Sequence, residues 1–301
     1  MKKALRNKIV QRIESLSSEL TPQLPKGVTP SIKHFDNIRA VVFDVYGTMF
    51  ISGTGDISLA GEGDSSQAIT EALESVGFAS LKEDAARRVS NHYERAVNEF
   101  MSARKDEGID YPEVDIVAIW QTVLNSLAYD KTIAGEINEE QIRRFAVEFE
   151  CRSNPIWPMP ALKNTLQQVK KQNFELGIVS NSQFYTPLMF DAMLGKSIEE
   201  IGFNIDLCIW SYQHLIGKPS TLLYEELKQA IDEECRYSPA EVLYVGNDML
   251  KDVYPAQKLG FKTVLFAGDS RSYKPRNDEE RCENIKADAV ITSFEQILNC
   301  L

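Results

Sequence analysis

The second half of the chain alternates between apolar runs and amphipathic segments, and this alternation constrains the fold most strongly. From Pro160 onward, runs of strand character such as FELGIVSN and EVLYVGND are separated by segments of helical periodicity such as ALKNTLQQVKKQ and STLLYEELKQAI. Strands that alternate with helices require crossover connections, which produce a parallel sheet covered by helices on both faces. The pattern therefore predicts an α/β fold with a doubly wound, Rossmann-like parallel sheet.

Polar side chains follow several of these predicted strands at the point where each strand ends. The run AVVF ends on Asp44, FELGIVS ends on Ser180, and EVLYVG leads to Asp248 and, four residues later, Asp252. Lys218 follows another short run, LCIW, and precedes a helix. Because open α/β sheets bind ligands beyond the carboxyl ends of their strands, we expect these five side chains to converge at one edge of the sheet.

A helical region separates the first of these strands from the others. Between Ser65 and Cys151 the segments carry helical periodicity and no strand pattern, over a length close to that of a small domain. The stretch SGTGDISLAGEGDSS, which precedes them, lacks the G-K-[S/T] of a P-loop and is predicted to be a flexible surface loop, with a mobile flap as the alternative. The predicted organisation is an N-terminal helix and connector (1–36), an α/β core (37–52 and 156–301) and an all-α domain (53–155).

Charge and cysteine content exclude several classes of protein. The formal net charge of −11 argues against nucleic-acid binding, and the five scattered cysteines fit neither a disulfide framework nor a zinc site. No stretch approaches the roughly 20 apolar residues of a transmembrane helix, and the basic N-terminus lacks the apolar core of a signal peptide. The chain is therefore predicted to be cytoplasmic, with reduced thiols and no membrane or nucleic-acid partner, while its oligomeric state is left open.

The four polar groups at the strand ends resemble the four motifs of the haloacid dehalogenase-like hydrolase superfamily, in the same order and the same strand context. The resemblance covers residues 39–50 and 156–299, and the helical region resembles the cap domain that this family inserts after its first motif. It implies a magnesium-dependent hydrolase that acts on a small phosphorylated molecule through an aspartyl-phosphate intermediate.

The resemblance also assigns a role to each matching residue. Asp44 matches the nucleophile, a carboxylate that attacks the substrate and forms a covalent intermediate. Ser180 matches the hydroxyl that holds a phosphoryl oxygen, and Lys218 matches the fixed cation that offsets negative charge. Residues of the same motifs are predicted to bind substrate: Gly47, Thr48, Asn181 and Ser182.

The acidic fourth motif predicts a site for Mg²⁺. Two acids beside a third are hard to hold without a cation, and Mg²⁺ takes a few carboxylates together with waters and phosphate oxygens. The predicted ligands are Asp44, the main-chain carbonyl of Tyr46, Asp248 as the favoured acid, and Asp252 as a further ligand or a lysine partner. Asn247 stays open as an alternative, because some family members carry their first acid at this position.

Tyr46 departs from the pattern of the family phosphatases. They carry a second aspartate here, which protonates the leaving group, whereas the D-x-Y-G-T of this chain resembles the 2-haloacid dehalogenase branch. A phenol with an ordinary pKa of about 10 is a poor base, and general acid–base catalysis contributes about 10²- to 10⁴-fold. Tyr46 keeps its place among the catalytic candidates by position alone, and its presence predicts slow turnover unless the leaving group is good.

Three functions remain, and they are ranked by the rest of the site. Dehalogenation needs no metal, yet the acidic pair is complete, and the early helical region lacks the arginine pattern of the dehalogenase branch. A phosphatase is therefore placed first, a 2-haloacid dehalogenase-like hydrolase second, and a weakly active phospholigand-binding protein third.

Two other features are predicted to be structural. Trp120, Phe145 and Phe149 fall at helical positions and are assigned to the core of the helical domain. The basic stretch RSYKPR (271–276) is predicted to be a solvated loop, with contact to an anionic substrate as the alternative.

Overall fold

The fold is built on a parallel sheet in which Asp44 follows the end of an inner strand. The computed structural model describes residues 1–55 and 65–301, so most of the predicted flexible loop lies outside the described residues. Six strands form the sheet in the spatial order β10-β9-β8-β1-β6-β7, while β2 pairs with β5 and β3 with β4 in antiparallel fashion. The predicted doubly wound parallel sheet is confirmed. In the described residues the strands are β1 Ala40–Phe43, β2 Phe50–Ser52, β3 Ala79–Ser80, β4 Ile133–Ala134, β5 Ile156–Pro158, β6 Glu175–Ser180, β7 Phe203–Trp210, β8 Val242–Gly246, β9 Lys262–Phe266 and β10 Ala289–Ile291.

Helices α2 to α5 follow β2 in the chain and pack around an aromatic centre. The ring of Trp120 stacks on Tyr93 at a centroid distance of 4.4 Å and contacts Phe145 and Phe149 edge-on at 4.7 and 5.2 Å. The expectation of a strand-free region is wrong in detail, because β3 and β4 form a two-residue pair there. The first five helices are α1 Lys3–Leu16, α2 Ser66–Val76, α3 Ala85–Asp106, α4 Ile116–Tyr129 and α5 Glu139–Ser153.

The remaining helices cover the two faces of the sheet. Phe43 and Val42 are adjacent in β1 and point to opposite faces, where they join different apolar clusters. Helices α6 and α7 contribute to the first cluster and α10 to the second. In the described ranges, no helix is both long and apolar enough to span a membrane. These helices are α6 Leu162–Lys171, α7 Thr186–Leu194, α8 Ile198–Ile201, α9 Ser211–His214, α10 Leu222–Ala230 and α11 Tyr254–Lys258, with π-helical turns at Ile231–Cys235 and Met249–Val253 and 3₁₀ turns at Pro239–Glu241, Glu280–Cys282 and Phe294–Asn299.

The N-terminal helix α1 contacts both the helical region and the α/β core. Arg6 forms a bidentate ion pair with Asp191 of α7 at 2.8 and 2.9 Å. Arg12 pairs with Glu148 of α5 at 2.5 and 3.0 Å, and Ile9 is buried between these contacts. Helix α1 therefore connects α5 to α7 through charged and apolar contacts.

Candidate active site

Four of the predicted site residues are joined by direct hydrogen bonds at the carboxyl edge of the sheet. Asp44 follows β1, and its Oδ1 accepts hydrogen bonds from Lys218 Nζ at 2.6 Å and from Ser180 Oγ at 3.0 Å. Lys218 Nζ also donates to Asp252 Oδ1 at 2.6 Å. The convergence that the sequence predicts therefore exists for the carboxylate, the hydroxyl, the ammonium group and one acid of the fourth motif.

The ammonium group of Lys218 is buried between two carboxylates. Burial disfavours its charge, but Asp252 and Asp44 outweigh this effect and raise the pKa of Lys218 well above its ordinary value. Burial raises the pKa of Asp252 against the attraction of Lys218, and the charge of Asp44 adds to the increase. Lys218 is thus a fixed cation beside Asp44 at neutral pH, which suits a site where negative charge develops.

Asn181 and Ser182 position the loops that carry the site. The side-chain oxygen of Asn181 accepts a hydrogen bond from the main-chain N–H of Lys218 at 2.7 Å. The main-chain N–H of Ser182 donates to the hydroxyl of Ser211 at 2.9 Å. Asn181 also lines the cavity at Asp44, whereas Ser182 is fully buried behind it. The substrate-binding role predicted for both residues stays a prediction.

The first motif contacts the fourth through Thr48. Thr48 Oγ1 donates to Asn247 Oδ1 at 2.9 Å and lies 3.4 Å from Asp44 Oδ2. Gly47 has a φ of +81°, and a Cβ at this position would lie 2.4 Å from the Cβ of Ser272, so glycine is required here. The amide nitrogen of Asn247 donates to the main-chain carbonyl of Ser272 at 2.6 Å. This bond fixes the amide so that its oxygen accepts from Thr48.

The phenol of Tyr46 is directed at helix α7. Its hydroxyl lies 3.0 Å from Thr186 Oγ1 and 3.3 Å from Met189 Sδ. Burial, with the nearby charge of Glu150, raises the pKa of Tyr46 well above its ordinary value. The phenol is therefore neutral at physiological pH, and in the described residues its hydroxyl bonds to α7 and not to Asp44.

The two acids of the fourth motif face different cations. Asp248 is bonded to Arg276, whose Nη2 lies 2.6 Å from Oδ2 and whose Nε lies 3.0 Å from Oδ1. Burial would raise the pKa of Asp248, but the hydrogen bonds and charge of Arg276 and two main-chain N–H groups lower it overall. Asp252 follows in the π-helical turn Met249–Val253 and binds Lys218 instead. The acidic pair is therefore divided between two ion pairs.

The basic stretch 271–276 is part of the site. Ser272 is buried, so the expectation of a solvated loop is wrong there. The main chain of Lys274 pairs with the fourth motif, because its N–H donates to Asn247 O at 3.0 Å and its carbonyl accepts from Met249 N at 2.9 Å. The sequence contained a usable signal, since a basic loop that follows a parallel strand lies at the same edge as Asp44.

A small cavity opens beside Asp44, and the oxygens of its lining residues decide whether Mg²⁺ fits there. In the described parts of the chain, no group of three or more His, Cys, Asp or Glu side chains is arranged to hold a metal. Asp248 and Asp252 are engaged by cations. In the described residues Asp44 Oδ2 and Asn247 Oδ1 face only the neutral hydroxyl of Thr48, and the main-chain carbonyl of Tyr46 stays a predicted ligand. One carboxylate and two neutral oxygens, completed by waters and phosphate oxygens, fit the preferences of Mg²⁺. The cavity is lined by Asp44, Tyr46, Gly55, Asn181, Lys218, Asn247, Asp248, Lys251, Asp252 and Lys274.

Solved structures of similar fold include both phosphatases and dehalogenases. A 2-haloacid dehalogenase from Pseudomonas syringae pv. Tomato DC3000 is 18% identical, with 87% of this chain and 97% of that chain covered and a TM-score of 0.50. A HAD phosphatase from Thermococcus onnurineus is 19% identical, with 86% and 96% covered and a TM-score of 0.48. CbbY from Rhodobacter sphaeroides, in complex with phosphate, is 15% identical, with 87% and 99% covered and a TM-score of 0.48. At these identities the likeness concerns the fold.

The family assignment comes from the sequence. A comparison with curated proteins found no match. The family model of the haloacid dehalogenase-like hydrolases matches residues 38–260, a range that contains Asp44, Ser180, Lys218 and Asp252. The chain belongs to the haloacid dehalogenase-like hydrolase family.

Proposed function

We propose that this hydrolase is a magnesium-dependent phosphatase of small molecules, with Asp44 as its nucleophile. The observation that carries the proposal is the pair of donors on Asp44 Oδ1, Lys218 Nζ at 2.6 Å and Ser180 Oγ at 3.0 Å. A carboxylate that is oriented in this way by a cation and a hydroxyl is prepared for attack on a phosphoryl group, whose oxygens can accept from the same two donors.

The reaction proceeds in two displacements. An oxygen of Asp44 attacks phosphorus, the bond to the leaving oxygen breaks, and an aspartyl phosphate forms. Water then attacks phosphorus, the bond between phosphorus and the Asp44 oxygen breaks, and inorganic phosphate leaves with the protons of the water, which restores the carboxylate. Lys218 and Ser180 donate to the phosphoryl oxygens in both steps. Mg²⁺, held by Asp44, the Tyr46 carbonyl and Asn247, would add positive charge at the phosphoryl group.

The position of Tyr46 narrows the range of suitable leaving groups. Its hydroxyl is engaged by Thr186 and Met189 and does not reach Asp44, so residue 46 supplies no proton to a departing oxygen. Phosphates whose leaving group departs as a stable anion, such as aryl or acyl phosphates, are therefore the substrates that we propose.

A 2-haloacid dehalogenase-like activity is the second candidate, and Tyr46 is the observation that favours it. Halide leaves as an anion without a proton, so a site that lacks an acid at residue 46 suits this reaction. The cations along the cavity favour the phosphatase, because Lys218, Lys251 and Lys274 suit a substrate with several negative charges. A weakly active phospholigand-binding protein is the third candidate.

Substrate size and cellular location are further parts of the proposal. We propose that helices α2 to α5 act as a cap that closes over the cavity, which limits the substrate to a small molecule and excludes bulk solvent. We also propose a cytoplasmic location and no nucleic-acid partner, the latter because a net charge of −11 disfavours binding to phosphate backbones.

Hydrolysis of p-nitrophenyl phosphate tests the proposal. Phosphate release should require Mg²⁺ and should be lost in Asp44→Asn, while the matched substitution at the exposed residue Asp206 should leave it intact. Metal-independent halide release from 2-chloropropionate would support the dehalogenase. Thermal stabilisation by phosphate compounds without any turnover would support the binding protein.

A further inference from the structure

One ammonium group at the cavity is without a carboxylate partner. The acids that line the cavity are neutralised, Asp44 and Asp252 by Lys218 and Asp248 by Arg276. Lys274 lines the same cavity, and its Nζ donates to the main-chain carbonyl of Arg271 at 3.1 Å. In the residues that the structure describes, this ammonium group has no ion pair.

Hydrogen bonds fix the main chain of Lys274 beside the cavity. Its N–H and carbonyl bond to Asn247 and Met249 at 3.0 and 2.9 Å. The residues on either side are also fixed, since Ser272 is buried and Arg276 is paired with Asp248. The main chain of Lys274 is therefore fixed at the cavity, and its Nζ is bonded to one neutral acceptor, the carbonyl of Arg271, which is a weaker partner for an ammonium group than an anion.

Lys274 approaches the cavity from the side opposite to Lys218. Strand β1, which ends on Asp44, lies between β8 and β6 in the sheet. Ser180 ends β6 and Lys218 follows β7, so both lie on one side of Asp44. Lys274 follows β9 and pairs with the loop after β8, on the other side. An anion held by Ser180 and Lys218 therefore leaves Lys274 available for a second group.

We propose that Lys274 binds a second anionic group of the substrate, a carboxylate or a second phosphate, while the reacting phosphoryl group occupies the site of Ser180 and Lys218. This inference rests on the proposed phosphatase function and specifies its substrate class as phosphorylated molecules with a second negative charge. The unpaired ammonium group of Lys274 selects such molecules over phosphates of the same size that lack a second anionic group.

Non-hydrolysable phosphonates test the inference without relying on turnover. Ethylphosphonate, phosphonoacetate and methylenediphosphonate share one phosphonate and differ in the second group, which is a methyl, a carboxylate or a phosphonate. Their affinities for the full chain are measured by isothermal titration calorimetry with Mg²⁺ in excess. At least one doubly anionic probe should bind about tenfold more tightly than ethylphosphonate, and the better of the two identifies the second group.

Variants assign this preference to the side chain. Lys274→Met and Lys274→Gln should reduce the preference to within about twofold, Lys274→Arg should keep most of it, and Lys286→Met, at an exposed lysine outside the cavity, should leave it unchanged. The inference is overturned if wild type binds all three probes equally, or if Lys274→Met weakens all three to the same extent. Absence of binding by any phosphonate would overturn the proposed phosphatase as well, whereas equal binding of all three overturns the subsite alone.

Discussion

Replacement of Lys218 by methionine is the sharpest test of how this site is held together. The substitution keeps the aliphatic stem and removes the ammonium group, which lies 2.6 Å from Asp44 Oδ1 and from Asp252 Oδ1. The two carboxylate oxygens are therefore within about 5 Å of each other. Without Lys218, two buried negative charges face each other with no cation between them.

The expected cost follows from burial. The side chains of Lys218, Asp44 and Asp252 are only 3, 7 and 1% exposed. Solvent therefore screens the charges of the two remaining carboxylates poorly. Removal of one partner from a buried ion pair costs about 3–5 kcal/mol, and here both carboxylates lose the same partner. We expect the free energy of unfolding of Lys218→Met to fall by about 3–5 kcal/mol near pH 8, which lowers the Tm of a chain of this length by roughly 5–8 °C.

The pH dependence has a definite sign. Loss of Lys218 removes the attraction that lowers the pKa of Asp252, so this pKa rises further and the folded variant binds a proton that the unfolded chain releases. Protonation relieves the repulsion, and the stability gap between wild type and variant should narrow as the pH falls from about 8 to about 5. Thermal denaturation followed by circular dichroism across this range measures the gap.

The same substitution at the exposed residue Lys171 serves as the control and should change the Tm little. A Lys218→Met variant as stable as wild type near pH 8, or a gap that widens toward acid pH, would refute the burial argument.

Four further outcomes are expected. Tyr46→Phe should change kcat less than about threefold and cost about 1 kcal/mol of stability, because among the described residues its hydroxyl bonds only to α7. A tenfold loss of kcat would show that the phenol is catalytic. Arg276→Met should cost about 1–3 kcal/mol at neutral pH, since Arg276 is 35% exposed and lowers the pKa of Asp248. In urea denaturation the loss of unfolding free energy should be complete above the ordinary aspartate pKa of about 4. It should disappear as the pH falls through the lower pKa that Asp248 has in the native protein. Arg12→Met should lower the free energy of unfolding by about 1–2 kcal/mol, because its partner Glu148 is buried. The control is Lys8→Met, which removes an exposed ion pair and should change stability little. Without a proton from residue 46, kcat/KM should fall by about 10²- to 10⁴-fold from aryl to alkyl phosphates, and a flat dependence would show that another acid acts.

The sheet and the nucleophilic end of the site could be predicted because their signals are local. A run such as AVVF is buried on both faces of its strand, so its apolar character is continuous and readable. Asp44, Ser180 and Lys218 stand directly after such runs, and the parallel sheet brings these positions to one edge whatever the loops between them do.

The orientation of individual side chains could not be read in this way. Asp248 and Asp252 are four residues apart, yet the π-helical turn directs one to Arg276 and the other to Lys218. Arg276 lies 28 residues beyond its partner, and no periodicity along one chain reveals such a pairing. The orientation of the Tyr46 phenol likewise depends on a hydrogen bond to Thr186, 140 residues away.

By itself, the order of residues determined the class of fold, the edge where the chemistry is placed, and the family to which the chain belongs. Only the folded chain decided which acid meets which cation, where the phenol points, and that the basic loop reaches the cavity. Short-range preferences are encoded in neighbouring residues, whereas a charge is neutralised by whatever the fold brings within a few ångströms of it.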